Sequence, residues 1–107
     1  MADLDEVRRI AMALPDVTEQ TDSDTPAFYV GGRGFVSVSG DGARLLLHAT
    51  AGRVANALAE DPGVYRELRR GETLVGIDAD LAAIPSDRLA DLVDHAWHLR
   101  TPNKARK

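Results

Sequence analysis

The sequence predicts a two-layer α+β domain, a five-stranded antiparallel sheet with three helices on one face, in the order α-β-β-β-α-β-β-α. Three observations carry this. The stretch TPAFYVGGRGFVSV, Thr25 to Val38, sets two runs rich in Phe, Tyr and Val around Gly31-Gly32-Arg33-Gly34, a strong hairpin signal. A second short turn, Gly40-Asp41-Gly42, leads into Ala43–His48 and extends the hairpin to a meander. Apolar residues recur at helical spacing in three further segments. Helices gathered on one face of an antiparallel sheet then give a two-layer domain.

Asp3 and Glu6 have the spacing of a capping box at the start of the first helix. Leu4, Val7, Ile10, Ala11 and Leu14 form its apolar stripe, and Pro15 stops it. Residues 16–24, DVTEQTDSD, are polar and acidic and are expected to be a loop. In the hairpin, Phe28 and Val30 share one face, and Val36 and Val38 share one face. Pro26 suggests an edge position for the first of these strands. Leu45 and Leu47 alternate with Arg44, Leu46 and His48 in the third. Thr50 reads as the N-cap of the second helix, whose stripe is Ala51, Val54, Ala55 and Leu58. Asp61-Pro62-Gly63 ends it. The fourth strand runs Val64–Leu68, the turn is Arg69-Arg70-Gly71-Glu72, and the fifth strand runs Thr73–Asp78. Gly76 weakens that strand or marks a close backbone approach. The last helix starts near Pro85-Ser86, carries Leu89, Leu92, Val93, Ala96, Leu99 and Arg100 on one side with Trp97 at its edge, and closes at Pro102.

The 107 residues suffice for a single domain over 1–107. With 44% hydrophobic and 28% charged residues, the composition is that of an ordinary soluble protein. Cysteine is absent, which excludes disulfides, thiol nucleophiles and cysteine metal sites and fits a reducing cytoplasm. No apolar run approaches the ~20 residues of a membrane span, and the opening MADLDEVRR lacks the order of a signal peptide. The net charge is −4, unevenly spread: residues 1–63 hold ten acids and five bases, residues 64–107 seven acids and eight bases.

No catalytic motif emerges. Asp91, His95 and His98 share a helical sector, and two imidazoles with a carboxylate suit a first-row metal. That sector lies opposite Leu92, Val93 and Ala96, so the expectation is a solvated helix face and no metal. His48 at a strand end has no visible nucleophile to serve as general base. Ser37 and Ser39 lack a G-x-S-x-G elbow. Gly31-Gly32-Arg33-Gly34 lacks phosphate-loop spacing and leads into a strand.

Three stretches together resemble the MmcQ/YjbR family of small bacterial proteins. Ala13-Leu14-Pro15-Asp16-Val17-Thr18-Glu19 is similar to its A-L-P-G-V-x-E. Thr25-Pro26-Ala27-Phe28-Tyr29-Val30-Gly31-Gly32 is similar to its G-x-P-A-F-x-V-G-G-K, with Asp24 in place of the first Gly and Arg33 in place of Lys. Ala96-Trp97-His98-Leu99-Arg100-Thr101-Pro102-Asn103-Lys104 is similar to its A-W/Y-x-L-V-A-P-K-R. The resemblance implies a CyaY-like fold, also described as a double wing, and a DNA-binding role. The dense basic segments that would meet phosphates are Arg66, Arg69 and Arg70 near one hairpin tip, with Arg100, Lys104, Arg106 and Lys107 at the C-terminus. The expectation is therefore a non-enzymatic cytoplasmic binding module without a cofactor. Its partner would be DNA, bound weakly and without sequence preference. The alternative is a protein- or small-ligand-binding domain that uses the sheet face or a cleft beside the hairpin.

Overall fold

The computed structural model describes residues 3–22, 25–39 and 41–101. Three helices, α1 (Leu4–Met12), α2 (Ala51–Glu60) and α3 (Ser86–Arg100), lie against a sheet of β1 (Val17–Asp22), β2 (Thr25–Val30), β3 (Arg33–Val38), β4 (Arg44–His48), β5 (Tyr65–Arg70) and β6 (Thr73–Asp80). The sheet has six strands in the order β1-β2-β3-β4-β6-β5, one more than the five expected. All neighbouring pairs are antiparallel. The segment after β4 passes through α2 to the far edge, and β6 returns between β4 and β5.

The additional strand is β1, which falls in the segment expected to be a loop. It pairs with β2 from Val17↔Val30 to Asp22↔Thr25. Val17–Thr21 bury no side chain completely, and VTEQTD carries none of the apolar alternation that betrays a strand. A short polar edge strand of this kind also discourages pairing with a second chain. β2 is consequently an internal strand, not an edge. Pro26, opposite Thr21, is tolerated because it sits at the strand's beginning.

The capping expectations hold in part. Glu6 N–H donates to Asp3 Oδ1 at 3.0 Å, and Arg53 N–H donates to Thr50 Oγ1 at 3.3 Å. The Glu6 carboxylate does not close a box; it lies 3.6 Å from Arg9. Pro85 precedes α3 without a side-chain cap.

The described residues share one core. Phe28, Val30, Val36, Val38, Leu45, Leu47, Ile77 and Ala79 bury one face of the sheet beneath Val7, Ala11, Val54, Leu89, Val93 and Ala96 of the helices. The second hairpin strand departs from strict alternation. Phe28 pairs with Val36 and Tyr29 with Gly34, leaving Phe35 as an extra bulged residue. Both Phe35 and Val36 are buried as a result. Gly31 and Gly32 take φ of 57° and 79°, the left-handed pair that a two-residue hairpin connection requires.

Of the two readings of Gly76, the structure shows the close backbone approach. A Cβ there would lie 1.9 Å from the Leu47 carbonyl oxygen and 2.8 Å from both His48 Cα and Ala49 N. Those atoms are backbone at the centre of the sheet and cannot rotate away. Gly76→Ala is expected to lower unfolding free energy by at least ~2 kcal/mol, at the upper part of the overpacking range. Urea denaturation measures this, and an unchanged midpoint would contradict the packing described.

Candidate functional site

The helices cover one face of the sheet, and the other face carries a groove of about 250 Å³. Its walls include Ala27, Tyr29, Leu46, Leu68 and Val75, all half-buried. Strand parity accounts for part of this lining: Leu46 and His48 alternate with the buried Leu45 and Leu47. Gly76 pairs with His48 on one side and with Leu68 on the other, so no side chain stands between those two. The Tyr29 ring lies opposite Gly34, 3.4 Å from where a Cβ would be.

One end of this groove is cationic. Pairing places the β2–β3 turn, the end of β4 and the β5–β6 turn at the same end of the sheet. Arg69, Arg70 and His48 border the groove there. Arg100, from the last turn of α3, reaches the same end and donates from Nε to the Gly34 carbonyl at 3.1 Å. His48 registers the accumulated charge. Burial first, then Arg100 and Arg70, hold its pKa below the ordinary histidine value.

The basic residues singled out from the sequence therefore divide. Arg69 and Arg70 are strand residues opposite Leu74 and Thr73, not turn residues; the connection is Gly71-Glu72. Arg69 is engaged, donating to Glu67 Oε1 at 2.8 Å and to the Glu72 carbonyl at 3.1 Å. Arg70 makes no ion pair among the described residues. Arg66 stands apart, one of two arginines on the Asp78 carboxylate, at 3.7 Å, while Arg44 holds it at 2.7 Å. Lys104, Arg106 and Lys107 lie outside the described residues.

The histidine sector of α3 is not a uniform solvated face. Asp91 accepts from Arg53 Nη1 at 2.7 Å, and half-buried His95 accepts the Thr50 N–H through Nε2 at 3.3 Å. His98 faces Asp94 at 3.6 Å. Among the described residues no group of three or more His, Asp or Glu is placed to hold a metal ion. No described helix is long and apolar enough to cross a membrane.

The YjbR family model matches residues 12–99. The chain belongs to the YjbR family. A crystal structure of the Deinococcus radiodurans protein DR2400, described as a DUF419 domain, superposes with a TM-score of 0.81 at 21% identity. The alignment covers 92% of this chain and 78% of that one, and it shows a shared fold. No curated protein matches. The structure explains why the stretches that resemble YjbR proteins lie so far apart in sequence. Trp97 Nε1 donates to the Pro15 carbonyl at 3.0 Å, and Arg100 donates to Gly34 just beyond the glycine turn. The three stretches meet at the cationic end of the sheet. Asp16, where the YjbR pattern has Gly, takes φ of 62°, a left-handed conformation that Asp tolerates better than most residues.

A titration follows. Burial is the leading cause that depresses both His48 and His95, with Arg53 adding to the effect on His95. Such groups bind fewer protons folded than unfolded, so stability falls as pH drops below the ordinary ~6.5. Imidazole resonances of His48 and His95 should titrate below that value. Replacing both by Gln should flatten the loss of stability between neutral and mildly acidic pH.

Proposed function

We propose that this YjbR-family chain is a non-catalytic binding module whose ligand is a small anion with an apolar body, held in the groove on the open face of the sheet. The observation that carries the reading is the lining: an apolar floor that ends at Arg69, Arg70 and His48. The anionic group would lie at that end, where Arg70 has no partner among the described residues, and the body along Leu46, Leu68 and the Tyr29 ring. Among the described residues no hydrogen bond joins Ser37 and His48, the hydroxyl and the imidazole that line the groove, which favours binding over catalysis.

Duplex DNA is the second reading. It draws on the gathering of Arg69, Arg70 and Arg100 at one sheet end and on the double-wing, CyaY-like view of the β2–β3 and β5–β6 hairpins. The net charge of −4 and the engagement of Arg66 and Arg69 by carboxylates weigh against it.

One set of measurements separates them. Amide chemical-shift titration with benzoate should move Leu46, His48, Leu68 and Arg70, with benzamide and inorganic phosphate each weaker. Leu46→Asp should abolish the response. Shifts scattered outside the groove would refute the small-anion reading. Fluorescence anisotropy with labelled duplex tests the other. About three to five phosphate contacts would give a salt slope near 0.9 per contact, and Arg69→Ala with Arg70→Ala would lower it by about 1–2. No binding at low salt would remove DNA and leave the anion reading standing.

A further inference from the structure

A second cleft lies on the helical face, between α2 and the first turns of α3, over Tyr65 of β5. It encloses about 230 Å³, less than the ~300 Å³ at which drug-sized sites begin. Its floor is Ala57, Leu92 and Tyr65, and its rim is Arg53, Asn56, Glu60, Arg88 and Asp91. Tyr65 is 2% exposed, and its hydroxyl is buried with no hydrogen-bond partner among the described residues. Buried hydroxyls are almost always satisfied, because an unsatisfied one loses its bonds to water without replacement. Tyr65 lines the cleft together with Glu60 and Arg88.

The rim carries two ion pairs. Arg53 Nη1 meets Asp91 Oδ2 at 2.7 Å, and Arg88 Nε meets Glu60 Oε2 at 2.9 Å. Each pair uses one donor and one carboxylate oxygen. A guanidinium has five N–H donors and a carboxylate two oxygens, so each pair retains capacity for a ligand of either sign without breaking. The formal charge of the four residues sums to zero. A singly charged ligand would leave an unmatched charge in the cleft, whereas a ligand with one positive and one negative group matches both signs.

We infer that the α2–α3 cleft binds a small zwitterion of the α-amino acid class, with the Tyr65 hydroxyl as a buried hydrogen-bonding anchor. The carboxylate is received by Arg88 and Arg53, the ammonium by Glu60 and Asp91, and Ala57 and Leu92 bound the side chain. This site is separate from the sheet-face groove: its lining residues are different, and it stands or falls independently of the anion reading.

The test is thermal unfolding of the whole chain with the standard α-amino acids as probes, added singly, beside acetate and methylamine as singly charged controls. At least one amino acid should raise the midpoint by several degrees while neither control does. Amide resonances of Asn56, Arg88 and Asp91 should shift with the same amino acid. Tyr65→Phe should melt at or above wild type, since it deletes an unpartnered hydroxyl, and should lose the response. Arg88→Ala, on the exposed rim, should keep the fold and also lose it. The inference is overturned if no amino acid raises the midpoint or if either control matches. It equally falls if Tyr65→Phe responds like wild type or melts well below it.

Discussion

The close approach of β6 to β4 at Gly76 is the constraint on which both the fold and the groove depend. β6 arrives last in the sheet and must fit between two strands that α2 has already separated. At Gly76 the β4 backbone is turning out of the sheet, from His48 through Ala49 to the cap of α2. The Ala49 N–H still donates to the Val75 carbonyl at 3.2 Å as it leaves. A side chain at Gly76 would occupy the space that this exit uses. The same missing side chain leaves His48 and Leu68 facing each other across an empty position. One residue thus permits the connection that builds the second layer and leaves room for a groove on the opposite face.

Much of the architecture was legible because burial is one-sided. A sheet with one face under helices imposes period two on its strands, and the helices that cover it impose period 3.6. Phe28, Val30, Val36, Val38, Leu45 and Leu47 all announce their face in this way and are buried. Where that pressure is absent, the sequence is silent. β1 contributes hydrogen bonds, and Val17–Thr21 contribute no deeply buried side chain, so VTEQTD looks like a loop. It is fastened by a polar contact, with Arg8 Nε and Nη2 both 2.8 Å from the Glu19 carboxylate oxygens. A bidentate pair between residues of different elements has no periodic signature. Phe35 shows the converse: a bulge moves a buried residue out of the alternation that would have predicted it.

The candidate site was less legible, for a related reason. Counting arginines along the chain gives density but not pairing. Arg66 and Arg69 sit within four residues of Arg70, yet each lies against a carboxylate brought close by strand pairing or spacing, Asp78 or Glu67. What gathers charge is the antiparallel order, which returns three chain segments to one end of the sheet. Arg100, more than fifty residues from His48 in sequence, acts on its imidazole there. The groove's apolar lining was equally hidden. Leu46, Leu68 and Val75 are unremarkable singly and become a surface only when β6 is inserted between β4 and β5.

Tyr65 and Arg66 are adjacent on an edge strand, and their neighbours show how far the two faces differ in electrostatic design. On the sheet face, Asp78 is flanked by two arginines, and positive charge accumulates toward the open end of the groove. On the helical face, each arginine over Tyr65 is matched by one acid. An imbalance of charge beside an apolar floor selects for the sign of a ligand. A balanced rim over a buried, unpartnered hydroxyl selects instead for the arrangement of charges within it. In a chain whose net charge is −4, long-range attraction favours neither an anion nor a polyanion. Recognition must then come from contacts made at short range, and small ligands that fit a local arrangement are better suited to that than an extended polyanion. This is the physical reason the proposed ligands are placed at the groove and the cleft and are not assigned from the total of basic residues.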